Sequence, residues 1–413
     1  MKLLAATLAA VKASHFRGFS YSVTQDTNGD PTKLDIGRSQ TWRRSNSGYS
    51  GGCIQADINS QTPAKEDPED CWINDNGWKR CGYTKGGYIV SDIEDSLSTA
   101  NNYCYGGRIE DFAKPSGPFE MEWDDCCWVK YTTDDNVLVN GGSFGFVAAI
   151  NDVDNNSPQV KLPPIWKIMA GCPAQTLVLN PSDLDGDKIK CRWGTSNEAL
   201  GAYKSNHNFA SITLDEDTCI LTYDGTADQA SDGVKPIAIQ IEDFDSNGNV
   251  KSSMPLQFLA TVWTPQNTNF RTSRRNNNPY QYPDLFPVDD DEDEGRRRRS
   301  TTNRTRRSVP DYCSKTPVLQ SPTPAAGAVL NSPLSGTTFT LKAGNGIGPI
   351  SRFTYQSPRG MVCTDVDANG EVQCTFTPTA DQKDTVQDFC FQAEDNAGLQ
   401  VIFHSTFRTL WAL

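Results

Sequence analysis

Two stretches past the middle of the chain carry apolar residues at every second position. Ile237, Ile239 and Ile241 alternate with Ala238, Gln240 and Glu242, and Leu256, Phe258, Ala260 and Val262 repeat the pattern. A period of two puts one set of side chains on one face, so each stretch predicts a half-buried β-strand. Near the C-terminus Leu399, Val401 and Phe403 alternate in the same way with Gln400, Ile402 and His404. Earlier in the chain, 88–90, 119–123 and 144–150 are short strand-like runs bounded by Gly, Pro or Asp, which is how strands between turns read. The 32 glycines and 24 prolines favour many short strands over long helices. The chain is expected to be all-β.

These patterns divide the 413 residues into a leader and four pieces, within the two to four domains, roughly, that such a length accommodates. Residues 1–13 carry Lys2, the apolar run Leu3 to Val11, and small residues at Val11 and Ala13. They read as a signal peptide, too short to span a bilayer. Residues 14–171 hold Cys53, Cys71, Cys81, Cys104, Cys126 and Cys127 and most of the tryptophans, a Cys-rich β domain. Residues 172–263 form an Ig-like or cadherin-like sandwich. Residues 264–307 are polar and charge-blocked without apolar period, which predicts a disordered linker. Residues 308–413 return to alternation as a second sandwich. The second and fourth pieces look like copies. Cys219, then Thr226-Ala227-Asp228-Gln229, then Gln240 to Asp243 recur as Cys374, Thr379-Ala380-Asp381-Gln382 and Gln392 to Asp395. Two domains of one type, each an Ig-like or cadherin-like sandwich, account for the repetition.

His15 to Gly18, Thr41 to Ser45, Lys190 to Trp193, Ile239 to Phe244 and Met254 to Leu259 resemble a family of secreted or surface proteins of marine invertebrates. Its members combine a Cys-rich N-terminal domain with such repeats and carry integrin-like or matrix-like names. The resemblance covers roughly residues 14 to 263 and implies an extracellular setting without naming an activity. Gly194 to Thr218 contains no cysteine, whereas the family carries two there, so Cys172 is expected to lack its partner.

Charge and cysteine content narrow the function classes. A net charge of −13 argues against a nucleic-acid partner. The basic cluster Arg296 to Arg307 follows the acidic run Asp289 to Glu294, which would neutralise it. Thirteen cysteines suit an oxidising compartment. No Cys-x-x-Cys pair occurs and histidines number three, which argues against zinc. With no further apolar run long enough to span a membrane, the mature chain is expected to be secreted.

Gly48-Tyr49-Ser50-Gly51-Gly52 matches the form of a nucleophile elbow. A working serine also needs a base, an acid and a strand-to-helix turn in an α/β sheet. Nothing else in the sequence supplies these, so Ser50 reads as loop and the chain as a non-enzyme. Asp183, Asp185 and Asp187 crowd one short loop, and hard oxygen ligands at that density suit calcium. Asp243 and Asp245, at a strand end, could complete the site. Both Asp243 to Met254 and Asp365 to Phe376 mimic an EF-hand loop but lack its final Glu, and turn formation alone would also explain such residues. Trp42, Trp72, Trp78, Trp123 and Trp128 read as core rather than as a carbohydrate platform.

Asn303-Arg304-Thr305 is a glycosylation sequon in the linker, and Asn155-Asn156-Ser157, followed by Pro158, a weaker one. Arg304 to Arg307 before Ser308 and Arg296 to Arg299 before Ser300 fit the requirement of furin-type convertases, which need an accessible extended strand. A hairpin at 367–370 sets Cys363 opposite Cys374, so these two should bridge. Cys191 is expected to pair with Cys219, and Cys313 with Cys390. Cys172 is then left free or joined to another chain, unless it takes Cys313 instead.

An extracellular structural or adhesive protein, assembling after proteolytic maturation with copies of itself or other extracellular proteins, is the leading reading. A soluble lectin-like or receptor-binding module is the alternative.

Overall fold

The computed structural model describes residues 16–27, 29–43, 53–60, 63–64, 71–74, 77–80, 89–94, 103–125, 128–139, 142–160, 165–202, 209–228, 233–263, 313, 317–325, 329–344, 346, 348–357, 360–378, 386–396 and 400–409. The chain is all-β, as the alternation predicts. The leader, His15, Ser50, and the linker with Arg299, Asn303, Arg307 and Ser308 lie outside these residues.

The N-terminal body contributes β1 (Phe16–Gln25), β2 (Lys33–Arg43), β3 (Cys71–Asn74), β4 (Trp78–Arg80) and β5 (Ile89–Glu94). It continues with β6 (Tyr103–Ala113), β7 (Phe119–Asp125), β8 (Tyr131–Thr132), β9 (Leu138–Val139) and β10 (Phe144–Ile150). The first sandwich follows as β11 (Ile165–Met169), β12 (Gln175–Val178), β13 (Lys188–Trp193), β14 (Ile212–Asp215), β15 (Ile220–Tyr223), β16 (Gly233–Phe244) and β17 (Val250–Trp263). The second sandwich holds β18 (Val318–Leu319), β19 (Val329–Ser332), β20 (Thr337–Gly344), β21 (Ile350–Gln356) and β22 (Met361–Cys363). It ends with β23 (Glu371–Phe376), β24 (Val386–Asp395) and β25 (Gln400–Thr409).

The two sandwiches share one topology, which agrees with the repeated sequence marks. In the first, β11 runs parallel to β17, which continues antiparallel to β16 and β13. In the second, β19 runs parallel to β25, which continues through β24 to β21 in the same sense. The opposing sheets correspond too, β12-β15-β14 matching β20-β23-β22, with β18 added at the edge of the latter.

The expected division at residue 171 does not separate two sheets. β17 pairs with β1 at Leu256 and Gln257 and with β10 at Ser252 and Ser253, so the body and the first sandwich share a twelve-stranded sheet. This alters the half-buried reading of the central strands. Ile237, Ile239, Ile241, Leu256, Phe258, Ala260 and Val262 fill the sandwich core. Val234, Ala238, Met254 and Leu259 belong to the core of the body. Two of the polar residues between them, Gln240 and Gln257, are buried as well, Gln240 giving its amide to the Val147 carbonyl and Gln257 to that of Gly145. Alternation reveals that a strand has two unlike faces, but not that a distant segment covers the polar one.

Aromatic packing closes the body. Phe16 stacks on Phe144 at 4.0 Å and Phe19 on Phe146 at 4.3 Å. Trp42, Trp123 and Trp128 are buried among them, as a core role requires.

Cys191 and Cys219 are joined, as are Cys363 and Cys374, and Cys53 is joined to Cys104. The first of these ties the two sheets of its sandwich together, whereas Cys363–Cys374 staples one hairpin through directly opposed residues. The remaining expectation is corrected. Cys313 pairs with Cys172, at a Cα separation of 5.4 Å, and not with Cys390. Spacing hides this, because the two cysteines are separated by 141 positions in sequence. Lys167 of β11 adds an ion pair to Glu394 of β24 at 2.8 Å. Glu394 also takes Arg352 at 2.9 Å.

Candidate functional site

The acidic loop predicted to hold calcium lies where the ends of β10, β13, β16 and β17 converge. Gly186, at φ +78°, supplies the left-handed turn that brings the loop back into β13. Asp183, Asp185 and Asp187 each place a carboxylate oxygen within 4.8 Å of the others. Asp183 organises the loop, its Oδ1 accepting the backbone N–H groups of Asp185 at 2.8 Å and Asp187 at 3.0 Å. Its Oδ2 is buried without a hydrogen-bond partner.

Neighbouring elements complete the surroundings. Asn156 donates its backbone N–H and its side-chain amide to Asp185, both at 2.8 Å. Lys251 of β17 holds Asp187 at 2.6 Å. Asp243, at the end of β16, is fully buried and accepts Ser252 N–H at 2.8 Å and Ser252 Oγ–H at 2.6 Å. Its other oxygen takes the Asn155 side-chain amide at 2.5 Å, while Asn155 Oδ1 is buried without a partner.

Electrostatics single out Asp183. Burial, and then the negative charge of nearby Asp243, push its carboxyl above the ordinary aspartate value despite the two backbone donors. Burial raises Asp243 also. A divalent cation among the three carboxylates would relieve Asp183, because it favours the ionised form that burial disfavours. Asp183, Asp185 and Asp187 would be its carboxylate ligands, the buried Oδ2 of Asp183 among the oxygens free to take it. The donor set is all oxygen, which suits calcium.

Two expected site residues have other tasks. Asp245 closes its own turn, accepting Asn247 and Asn249 N–H at 2.8 Å each, and the Asn249 amide holds its carboxyl down to about 2. It is absent from the three-carboxylate group. Asn155, expected as a glycosylation acceptor, is 3% exposed with its amide engaged by Asp243, so the folded chain presents no nitrogen there for a glycan.

A second acidic group escaped the sequence reading. Asp26, Asp35 and Asp111 also bring carboxylate oxygens within 4.8 Å. Only the antiparallel register that sets Asp35 opposite Asp111 assembles them. Their spacing in sequence carries no signal. Lys33 pairs with Asp111 at 3.2 Å, and Thr27 N–H donates to Asp35.

No family model matches the chain. No curated protein matches it either. Among solved structures it is similar to Drosophila N-cadherin EC1-4, at 11% identity over 86% of this chain and 72% of that one, with a TM-score of 0.23. Extracellular cadherin domains 3–6 of Protocadherin Gamma B2 show 12% identity over 83% and 68%, with a TM-score of 0.19. The N-terminal eight Ig domains of Down Syndrome Cell Adhesion Molecule show 11% identity over 92% and 34%, also with a TM-score of 0.19. Likeness at this level assigns neither a family nor an activity.

Proposed function

We propose that this chain is a secreted structural or adhesive protein whose β domains are held as one covalent unit and stiffened by calcium. The Cys172–Cys313 bond carries the reading, because it joins the first sandwich to the second across the segment where the convertase sites are expected. Cutting after Arg299 or Arg307 would then yield two polypeptides that stay together, the second beginning near Ser308 and still holding Cys313. Release of the C-terminal sandwich is therefore not the trigger for assembly. Maturation would preserve the unit, and disulfides supply the durability an extracellular material needs.

Partners would be other extracellular proteins or copies of the chain, met along sheet edges. The short edge strand β22 carries Val362 at 72% exposure, and an open edge accepts a neighbour's strand. Burial of Trp42, Trp123 and Trp128 removes those rings as a sugar platform, which weighs against the lectin-like alternative.

Electron microscopy and light scattering of the native secreted protein, with calcium and with chelator, test the proposal. Ordered assemblies or a calcium-dependent rise in mass are expected. A monodisperse monomer under both conditions would overturn it in favour of a soluble recognition module.

A further inference from the structure

Lys235 of β16 shares its face with Ile237, Ile239 and Ile241, yet its side chain has no exposure. Its ammonium lies 2.6 Å from Asp134 Oδ1, 3.1 Å from Asp228 Oδ2 and 4.9 Å from the centre of the Phe209 ring. The Asp134 side chain is 7% exposed and that of Asp228 is fully buried. Asp134 is pinned by Ser211, whose backbone N–H reaches its Oδ2 at 2.8 Å and whose hydroxyl reaches its Oδ1 at 2.9 Å. Tyr223 donates its hydroxyl to Asp228 Oδ2 at 2.9 Å. An amine, a carboxyl and a second carboxylate are thus enclosed together in fixed positions.

Enclosure decides what such a set can do. In water an ammonium and a carboxylate remain an ion pair, because both are well solvated. In a closed apolar site each charge is costly, and a neutral amide with a released water removes two of them. Orientation then replaces the encounter that a solution reaction requires. We propose that Lys235 and Asp134 condense to an intramolecular amide, with Asp228 as the proton carrier.

The step balances with nothing added. Lys235 passes one ammonium proton to Asp134 Oδ1, which makes an amine and a carboxylic acid. The freed lone pair on Nζ attacks Cγ, and Asp228 takes a second proton from the attacking nitrogen. Ser211 N–H holds the charge that develops on Oδ2, in the manner of an oxyanion hole. The C–Oδ1 bond breaks, and Oδ1 leaves as water carrying two of the three ammonium protons, one of them returned by Asp228. The Nζ–Cγ amide forms and Asp228 ends ionised as it began. Tyr223 keeps its proton, since burial and then the Asp228 charge push its phenol upward, so it steadies Asp228 throughout.

The bond would span 101 residues of sequence and join the body to the first sandwich. None of the disulfides among the described residues makes that connection.

Intact mass of the full chain, reduced, denatured and freed of glycan, tests this directly. The wild type is expected one water lighter than its sequence, with a branched proteolytic fragment containing both Lys235 and Asp134. Lys235→Arg and Asp134→Ala should each restore the full mass, and Asp228→Asn should slow water loss by at least tenfold. A wild-type chain of full mass, or a water loss mapped elsewhere, overturns the proposal whether or not the variants fold. An Asp228→Asn chain that condenses as fast as wild type overturns the role given to Asp228.

Discussion

Replacing Asp183 with asparagine should separate the two contributions that its carboxylate makes. In the calcium-free protein the charge is unfavourable, because burial and Asp243 both raise its pKa. A carboxyl raised in the folded state binds its proton more tightly there than in the unfolded chain. Stability from this group therefore grows as pH falls through the raised value, and is forfeited at neutral pH. The neutral variant should accordingly be at least as stable as wild type in chelator, with a shallower gain on acidification. Calcium reverses the order. A ligand bound only by the folded state, at a hundredfold its Kd, stabilises by about 2.7 kcal/mol. For a unit of this size that corresponds to a Tm increase of roughly 5–11 °C. The wild type should show this increase at neutral pH and lose it as acid protonates Asp183. Asp183→Asn should show little of it at any pH. Differential scanning calorimetry in calcium and in chelator, from pH 4 to 8 or thereabouts, spans the range in which carboxylates raised by burial titrate. Equal curves for wild type in both buffers at neutral pH would refute the site. A calcium response retained by Asp183→Asn would refute its central place in it.

Three further outcomes are expected. Treating the native protein with a furin-type convertase should give two bands on a reducing gel and one on a non-reducing gel, and Cys172→Ser should part them under both conditions. Burial opposes ionisation of Glu394, yet Lys167 and Arg352 hold it down to about 2. Its stabilisation, of order 3 kcal/mol, is thus present above about pH 4.5 and lost as pH falls toward 2. Lys167→Met should flatten that part of the acid denaturation curve. Phe258→Ala should cost about 3–5 kcal/mol and Leu259→Ala about 2–5 kcal/mol in chemical denaturation. Because β17 serves both cores, each change should lower body and first sandwich in a single transition. Two separate transitions would contradict the shared sheet.

Several of these features can be read from the chain because their causes are local. Alternation at Ile237 to Ile241 and Leu256 to Val262 marks the strands, since side chains leave a strand on opposite sides. The Cys363–Cys374 pairing follows from a short hairpin, whose register is fixed by its turn. Asp183, Asp185 and Asp187 are close in space because they are close in sequence. Asn155 and Asp243 are different. The sequence presents the first as a glycan acceptor and the second as a calcium ligand at a strand end, and only the fold, across 88 residues, unites them. The same applies to Lys235, whose partners arrive from a loop 101 residues earlier and a turn seven residues earlier. A lysine in a strand is ordinarily a solvated residue, so its sequence gives no hint of enclosure. Cys172 with Cys313 is the extreme case, for a long polar segment erases any relation between spacing and distance.

That last bond also fixes the path that tension would take along the covalent chain. Because Cys172 and Cys313 are joined, residues 173–312 form a closed covalent loop. Tension applied between the body and the C-terminal sandwich passes from β11 through the sulfur pair to β18, and the loop, with β12 to β17 and the charged linker, lies in parallel with it. The linker can then lengthen, vary in sequence, carry a glycan at Asn303 or be severed without weakening the strand of matter that transmits force. A segment free of mechanical duty is free to evolve as an address for proteases and sugars, which is what its sequence resembles.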